Sequence, residues 1–63
     1  MNSEFSELRA LIIDDSPTSR MTLSSVLRDV GIQQIKGVSG PQQARINLQD
    51  NQYDVILCEY HFA

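Results

Sequence analysis

Two uninterrupted apolar runs, each followed by acidic residues, constrain the fold of this chain more than any other feature. The first run covers residues 10–13 and ends in Asp14 and Asp15, and the second covers residues 55–58 and ends in Glu59. A run without polar residues is more typical of a parallel strand buried on both faces than of a half-exposed strand. Two such strands, as parallel neighbours, would bring their acidic ends to one edge of a sheet.

The segment after the first run predicts an amphipathic helix over residues 17–30. Ser16 can accept a free backbone N–H of the first turn, and Pro17 suits the first helical position because no donor is needed there. Gly31 fits the left-handed residue that commonly ends a helix. The apolar side chains at helical spacing, which predict one buried stripe, are Leu23, Val26, Leu27 and Val30.

The rest of the chain continues the alternation of strands and helices. Residues 33–38 predict a weak strand at the edge of a sheet, and residues 39–41 again combine a cap with a Pro before a second helix. A polar turn at 50–52 leads into the strand at 54–59. The order β-α-β-α-β with short connections predicts an α/β fold, a parallel sheet with right-handed crossovers and no internal domain boundary.

Composition argues against several classes of function. A chain of 63 residues with 41% hydrophobic content is expected to form one small globular unit rather than a disordered tail. Its net charge of -3, with five scattered basic residues, argues against nucleic acid or an anionic membrane as a direct partner. No apolar segment approaches the ~18 residues of a membrane span. Residues 1–7 lack the features of a signal peptide, so we expect a cytoplasmic protein.

The single cysteine indicates a reducing compartment and a structural role. Cys58 has no second cysteine with which to form an internal disulfide. Because it lies inside an apolar run with no base placed to activate it, we expect it to fill the core of a buried strand.

The three acids admit two interpretations from their spacing alone. In an open parallel sheet, ligand sites lie beyond the carboxyl ends of the strands, which is where Asp14, Asp15 and Glu59 fall. Oxygen ligands grouped in this way suit magnesium, which keeps several waters and takes one or two carboxylates. Equally, Asp and Ser before a helix commonly cap it, and Glu59 can be an ordinary solvated residue at a strand end.

These residues, in this order, resemble the receiver domain of response regulators, the phosphoacceptor module of bacterial two-component signalling. The resemblance rests on the acid pair within residues 11–16, the helix at 17–30, and the strand entry at 53–57 followed by an acid. It covers residues 9–63, which correspond to the N-terminal half of the family's domain, and leaves residues 1–8 as an N-terminal extension. The implied fold is a partial flavodoxin-like sheet of strand order 2-1-3.

The resemblance implies a role for each acid. Asp15 would ligate magnesium directly, and Asp14 would act largely through a bound water. Glu59 occupies the position of the aspartate that receives a phosphoryl group from a histidine kinase. His61 stands where the family uses a backbone carbonyl as a further metal ligand. Any residue type can supply a carbonyl, so the imidazole itself is expected to face solvent.

Two departures from the family pattern predict that this chain alone is not phosphorylated. Glu59 is one methylene longer than Asp, and a displacement of ~1 Å is enough to spoil in-line attack. Its charge partly imitates a phosphorylated aspartate, and it marks either a natural degenerate receiver or an altered sequence. The 63 residues also stop before the family's later strands, which supply a hydroxyl and a Lys to the phosphoryl group. We expect magnesium binding to be weak or absent in the isolated fragment.

The strand at 54–59 is also the predicted site of self-association. With strand order 2-1-3, this strand has an open hydrophobic edge that can pair with another chain. Two-fold pairing of two copies would give a dimer with a continuous six-stranded sheet. Strand exchange and an unfolded monomer are the competing outcomes. The edge residues are Val55, Ile56, Leu57 and Cys58.

Three classes of function follow from the sequence. The first is a truncated receiver domain in phosphorelay signalling, with a histidine kinase as the partner of the full-length parent. The second is an inert, self-associating αβ fragment without signalling activity of its own. The third is an enzyme that uses the acids with a metal. It ranks last because the sequence has no nucleophile–base pair, Gly-rich phosphate loop or histidine cluster. We therefore expect no enzymatic activity.

Overall fold

The structure, a computed structural model that describes residues 5–59, is a three-stranded parallel sheet with two helices. The strand order is β2-β1-β3, which confirms the predicted α/β fold with strand order 2-1-3. His61 lies outside the described residues, as do residues 1–4. The elements in chain order are β1 (Arg9–Asp14), α1 (Pro17–Asp29), β2 (Gln34–Val38), α2 (Pro41–Asp50) and β3 (Val55–Glu59).

The first strand is the centre of the sheet. β1 pairs in parallel with β2 on one side and with β3 on the other, so that Ile12 lies opposite both Gly37 and Leu57. The side chains of residues 10–14 are all buried. An apolar strand in this position loses water from both faces and both edges at once, which is why the run has no room for a polar residue before its end.

The two helices cover opposite faces of the sheet, as the alternation of β1 side chains requires. On the face that we call the α2 face, Leu11 and Ile13 form a buried cluster with Val38 and Ala44 of α2. On the opposite face, the α1 face, the helix α1 covers Ile12 and its neighbours. Successive side chains of a strand point to opposite faces, so one buried strand supplies the core of both layers.

The ends of α1 confirm the predicted capping pattern. The Ser16 hydroxyl oxygen accepts the backbone N–H of Ser19 at 3.3 Å, and Pro17 occupies the first helical position. The helix closes at Val30, and Gly31 follows with φ 109°, a left-handed conformation that glycine adopts without strain.

The start of α2 has the predicted Pro but no side-chain cap. Gly40 is the N-cap residue, and Pro41 follows it at the first helical position. The neighbouring Ser39 has a different role, because its backbone N–H and its hydroxyl both donate to Oε1 of Gln43 at 3.0 Å. The side chain of Gln43 therefore ties the end of β2 to the first turn of α2.

The predicted buried stripe of α1 is wrong for half of its members. Leu23 and Leu27 are half-buried, but Val26 is 52% exposed and Val30 is 48% exposed. α1 packs mainly on β1 and β2, and Val55 and Leu57 of β3 are only half-buried on that face. A helix laid over only two strands can bury a narrower stripe than its sequence offers.

The prediction that Cys58 fills the core is also wrong, because Cys58 is exposed. Among the described residues 5–59, β3 pairs only with β1 and forms one edge of the sheet, and its α2 face is not covered by α2. An open apolar groove of about 360 Å³ lies there, lined in part by Ile13, Ala44, Leu48 and Cys58. An apolar run is therefore buried in β1, whereas in β3 its side chains are half-buried on one face and exposed on the other, although the two runs look alike.

Neither helix in the described part of the chain is long and apolar enough to cross a membrane.

Replacing Leu11 with Ala tests the central position of β1. Leu11 is fully buried, so its truncation should lower the free energy of unfolding by about 2–5 kcal/mol. Urea unfolding followed by far-ultraviolet circular dichroism measures the change. Met21→Ala is the control, because Met21 is 73% exposed and should change stability by less than about 0.5 kcal/mol. Equal stabilities for the two variants would contradict the described core.

Candidate functional site

The carboxyl edge of the sheet, where β1 and β3 end, carries the acids that the sequence predicted for a site. Asp14 and Glu59 lie opposite each other in the register of the two parallel strands. Neighbouring strands lie about 4.8 Å apart, and residues paired in register point to the same face of the sheet. Asp15 follows Asp14 directly in the chain, so all three acids belong to this edge.

Asp14 has a structural role in the loop between β1 and α1. Its side chain is 1% exposed, and Oδ1 accepts the backbone N–H of Ser16 at 2.9 Å. Ser16 in turn caps α1 through Ser19. The interpretation as a cap residue is therefore confirmed for Ser16, whereas Asp14 stabilises the turn that leads into the cap. Because the side chain of Asp14 is buried in this loop, it is too enclosed to be the first group that binds an ion from solvent.

Asp15 and Glu59 differ from Asp14 in exposure. Both are exposed at the edge of the sheet, Asp15 at the start of the loop and Glu59 at the last residue of β3. Two exposed carboxylates beside one buried carboxylate make an edge of negative charge that is open to a solvent cation.

Arg20 reaches this edge from the first turns of α1. Its Nη1 donates to the backbone carbonyl of Asp14 at 2.6 Å, which holds the last residue of β1 against the helix. To reach that carbonyl, the side chain crosses β2 at Gly37, where a Cβ atom would lie 3.3 Å from Cδ of Arg20. The absence of a side chain at position 37 thus gives the arginine its path across the sheet.

The donor set fits magnesium only as a site of one or two carboxylates. Within residues 5–59, no group of three or more His, Cys, Asp or Glu side chains is arranged to hold a metal ion. Magnesium does not require such a group, because it keeps several waters and takes one or two carboxylates. Asp15 and Glu59 are accessible for that role, and the further predicted ligand His61 is outside the described residues.

The sequence analysis missed the contact of Arg20 with the end of β1, and it missed the role of Gly37. A glycine inside a strand is the one available sign, since it often marks a close approach by another part of the chain. Which part approaches depends on how β2 and α1 are placed, and spacing along the chain does not encode that.

Comparisons with known proteins add nothing to this description. The chain matches no protein-family model, no curated protein and no solved structure. The fold and the residues at the carboxyl edge are therefore the basis for the proposals below.

A double-mutant cycle tests the path of Arg20. Alone, Gly37→Ala should destabilise the chain, because the added methyl group must push the arginine side chain aside. In an Arg20→Ala background the methyl group has space, and the change should be neutral or stabilising, since Gly weakens a strand. We expect a coupling energy of about 0.5–1 kcal/mol from urea unfolding.

The matched control for this cycle is Arg45→Ala, which removes an exposed arginine from the helix on the opposite face. Gly37→Ala should have the same cost with and without Arg45. If Arg20→Ala also left that cost unchanged, the described contact between Arg20 and Gly37 would be contradicted.

Proposed function

We propose that this chain is a receiver-type signalling unit of a two-component phosphorelay, with Glu at the phosphoacceptor position. The observation that carries the proposal is the register of Asp14 with Glu59 at the carboxyl edge of a parallel sheet of order β2-β1-β3. Ligand sites of open α/β sheets lie beyond the carboxyl ends of the strands. The resemblance in the sequence and the position of the acids therefore support the same edge.

In this proposal the three acids have different roles. Asp15, which is exposed, would hold magnesium directly, and the buried Asp14 would contribute through a bound water. When bound, magnesium would neutralise charge and orient phosphoryl oxygens at this edge. Arg20 holds the carbonyl end of Asp14 and so keeps the acid pair in place beside the start of α1.

Glu59 makes the proposed unit a degenerate receiver rather than a working phosphoacceptor. Its carboxylate lies one methylene farther from the backbone than that of Asp, and about 1 Å of displacement is costly for in-line attack. The exposed carboxylate nevertheless leaves a permanent negative charge at the position where the family adds one. A histidine kinase remains the proposed partner of the full-length parent, and this chain is proposed to have no enzymatic activity.

Magnesium titration followed by amide nuclear magnetic resonance tests the acid edge. We expect saturable shifts at Asp14, Asp15 and Glu59, with weak affinity. Asp15→Asn should reduce that affinity by at least about tenfold, since magnesium is held through only one or two carboxylates. Asp50→Asn is the matched control, because it removes the same charge from the end of α2, and its effect should stay below about twofold.

Equal loss in the two variants, or shifts without saturation, would contradict a site at the carboxyl edge. Incubation with a small acyl phosphate donor and magnesium, followed by mass spectrometry, examines the acceptor position in the same samples. We expect no phosphoryl adduct, and a stable adduct on Glu59 would contradict the assignment of a degenerate receiver.

A second proposed role, self-association through β3, is favoured by the exposure of that strand. β3 pairs only with β1 within the described residues, Ile56 is 49% exposed, and the apolar groove beside it is open. An exposed hydrophobic edge strand pairs readily with a second copy. In a two-fold arrangement, two β3 strands would run antiparallel and join their sheets. The strand has no charge between Asp54 and Glu59 to oppose this pairing.

Sedimentation equilibrium over a range of concentrations tests the dimer. We expect a monomer–dimer equilibrium for the chain and a monomer for Ile56→Lys, because two lysines near the two-fold axis would repel across the paired strands. Ile46→Lys is the control, since Ile46 is exposed on α2 and makes the same change of charge. Circular dichroism must give the same helical signal for all three proteins. A folded monomer at every concentration would contradict self-association.

A further inference from the structure

A polar cavity that is open to solvent, at the opposite, amino edge of the sheet, has no role in either proposal above. It measures about 450 Å³ and lies on the α2 face, between β2 and the segment that connects α2 with β3. Its principal lining residues are Arg9, Gln34, Lys36, Asn47, Asn51 and Tyr53. The volume is within the range of small-ligand sites, which is roughly 300–1,000 Å³.

The lining of this cavity is cationic in a chain that is acidic overall. Two of the chain's five basic residues line it, Arg9 and Lys36, together with amides and one phenol, and no carboxylate from the described residues does. The register explains why the two cations lie on the same face of the sheet. Arg9 lies opposite Gln34, and Lys36 is two residues farther along the same strand, so both cations belong to one face of the sheet.

The guanidinium of Arg9 is held in place by neutral groups. Its Nη2 donates to Oδ1 of Asn51 at 3.0 Å, and its Cζ lies 5.3 Å from the ring centroid of Tyr53. The Tyr53 hydroxyl in turn donates to Oδ1 of Asn47 at 3.4 Å. These contacts fix the arginine without cancelling its charge. Within residues 5–59, no carboxylate forms an ion pair with this side chain.

Two acids near Arg9, Asp54 and Asp50, do not line this cavity. Asp54 accepts the backbone N–H of Arg9 at 2.9 Å, which holds its carboxylate beside the first residue of β1. Asp50 lines a separate cavity that Arg9 also borders. The part of the cavity that faces β2 therefore presents positive charge and amide donors together.

We propose that this cavity binds the phosphate group of a small organic phosphate. A phosphate monoester carries a charge of about -1.5 to -2 at neutral pH, which two cations can neutralise. An arginine offers paired donors that match phosphate oxygens, and a lysine adds a mobile point charge. The amide of Gln34 offers hydrogen bonds to the hydroxyl groups of the ester, whereas Nδ2 of Asn47 already donates one hydrogen bond to the backbone carbonyl of Gln43. The remaining volume accommodates the organic part of the molecule.

Amide nuclear magnetic resonance of the 63-residue chain, titrated with glycerol phosphate, tests this site. We expect saturable shifts at residues 34–36, Asn47 and Asn51, and none at the carboxyl edge. Sodium chloride at equal ionic strength should give no saturable shift at these positions. Lys36→Gln should weaken binding by about tenfold, because it removes a charge-assisted hydrogen bond. Arg45→Gln makes the same change of charge elsewhere and should weaken binding by less than about twofold.

Inorganic phosphate provides the second arm of the experiment. Weaker binding of inorganic phosphate than of glycerol phosphate at the same residues supports an organic phosphate as the ligand. Equal or tighter binding of the inorganic ion would overturn the assignment of an organic ligand. Shifts without saturation, or equal losses in the Lys36 and Arg45 variants, would overturn the site itself. Magnesium has no part in this test, so its outcome is independent of the acid edge.

Discussion

The burial of β1 is the constraint on which the rest of the structure depends. A strand enclosed by two neighbours and two helices is stabilised by removing apolar side chains from water on every side, which requires partners from distant parts of the chain. α1 and α2 then lie on opposite faces because the side chains of β1 alternate between those faces. β1 also positions the acids at its end. Its apolar run extends to the end of the core, and the first polar residue after that run is an acid.

The sequence predicted the elements of this fold better than it predicted their surroundings. Local rules identified β1, the cap at Ser16 and the left-handed Gly31, because each depends on residues within one turn or one strand. The sequence predicts burial of Cys58 and Val26 because an apolar pattern shows which side chains favour burial. It does not show whether another element of the fold covers those side chains. At the candidate site, strand order gave the edge on which the acids lie. The enclosure of Asp14 by its own loop and the path of Arg20 over Gly37 required the structure.

The parallel sheet also partly separates acidic from basic side chains between its ends, although Arg20 reaches the acid edge and Asp54 lies beside Arg9. The carboxyl edge has Asp14, Asp15 and Glu59, whereas Arg9 and Lys36 face a cavity toward the amino edge. This separation is invisible in a net charge of -3 and in a scattered set of basic residues. The separation arises because the register of the strands places residues that are distant in the chain side by side on one face. Charge counted along a sequence is therefore a poor guide to charge presented by a sheet.

The contacts of Arg9 with Asp54 have a consequence for how this chain folds. The two residues are joined by hydrogen bonds in both directions, across 45 positions of sequence. β1 thus has both of its neighbouring strands only after β3 has paired with it. Long-range parallel pairing of this kind is slow, because a large loop must close first. During synthesis, the apolar run of β1 would leave the ribosome well before β3. Its edge toward β3 would stay unpaired throughout that interval.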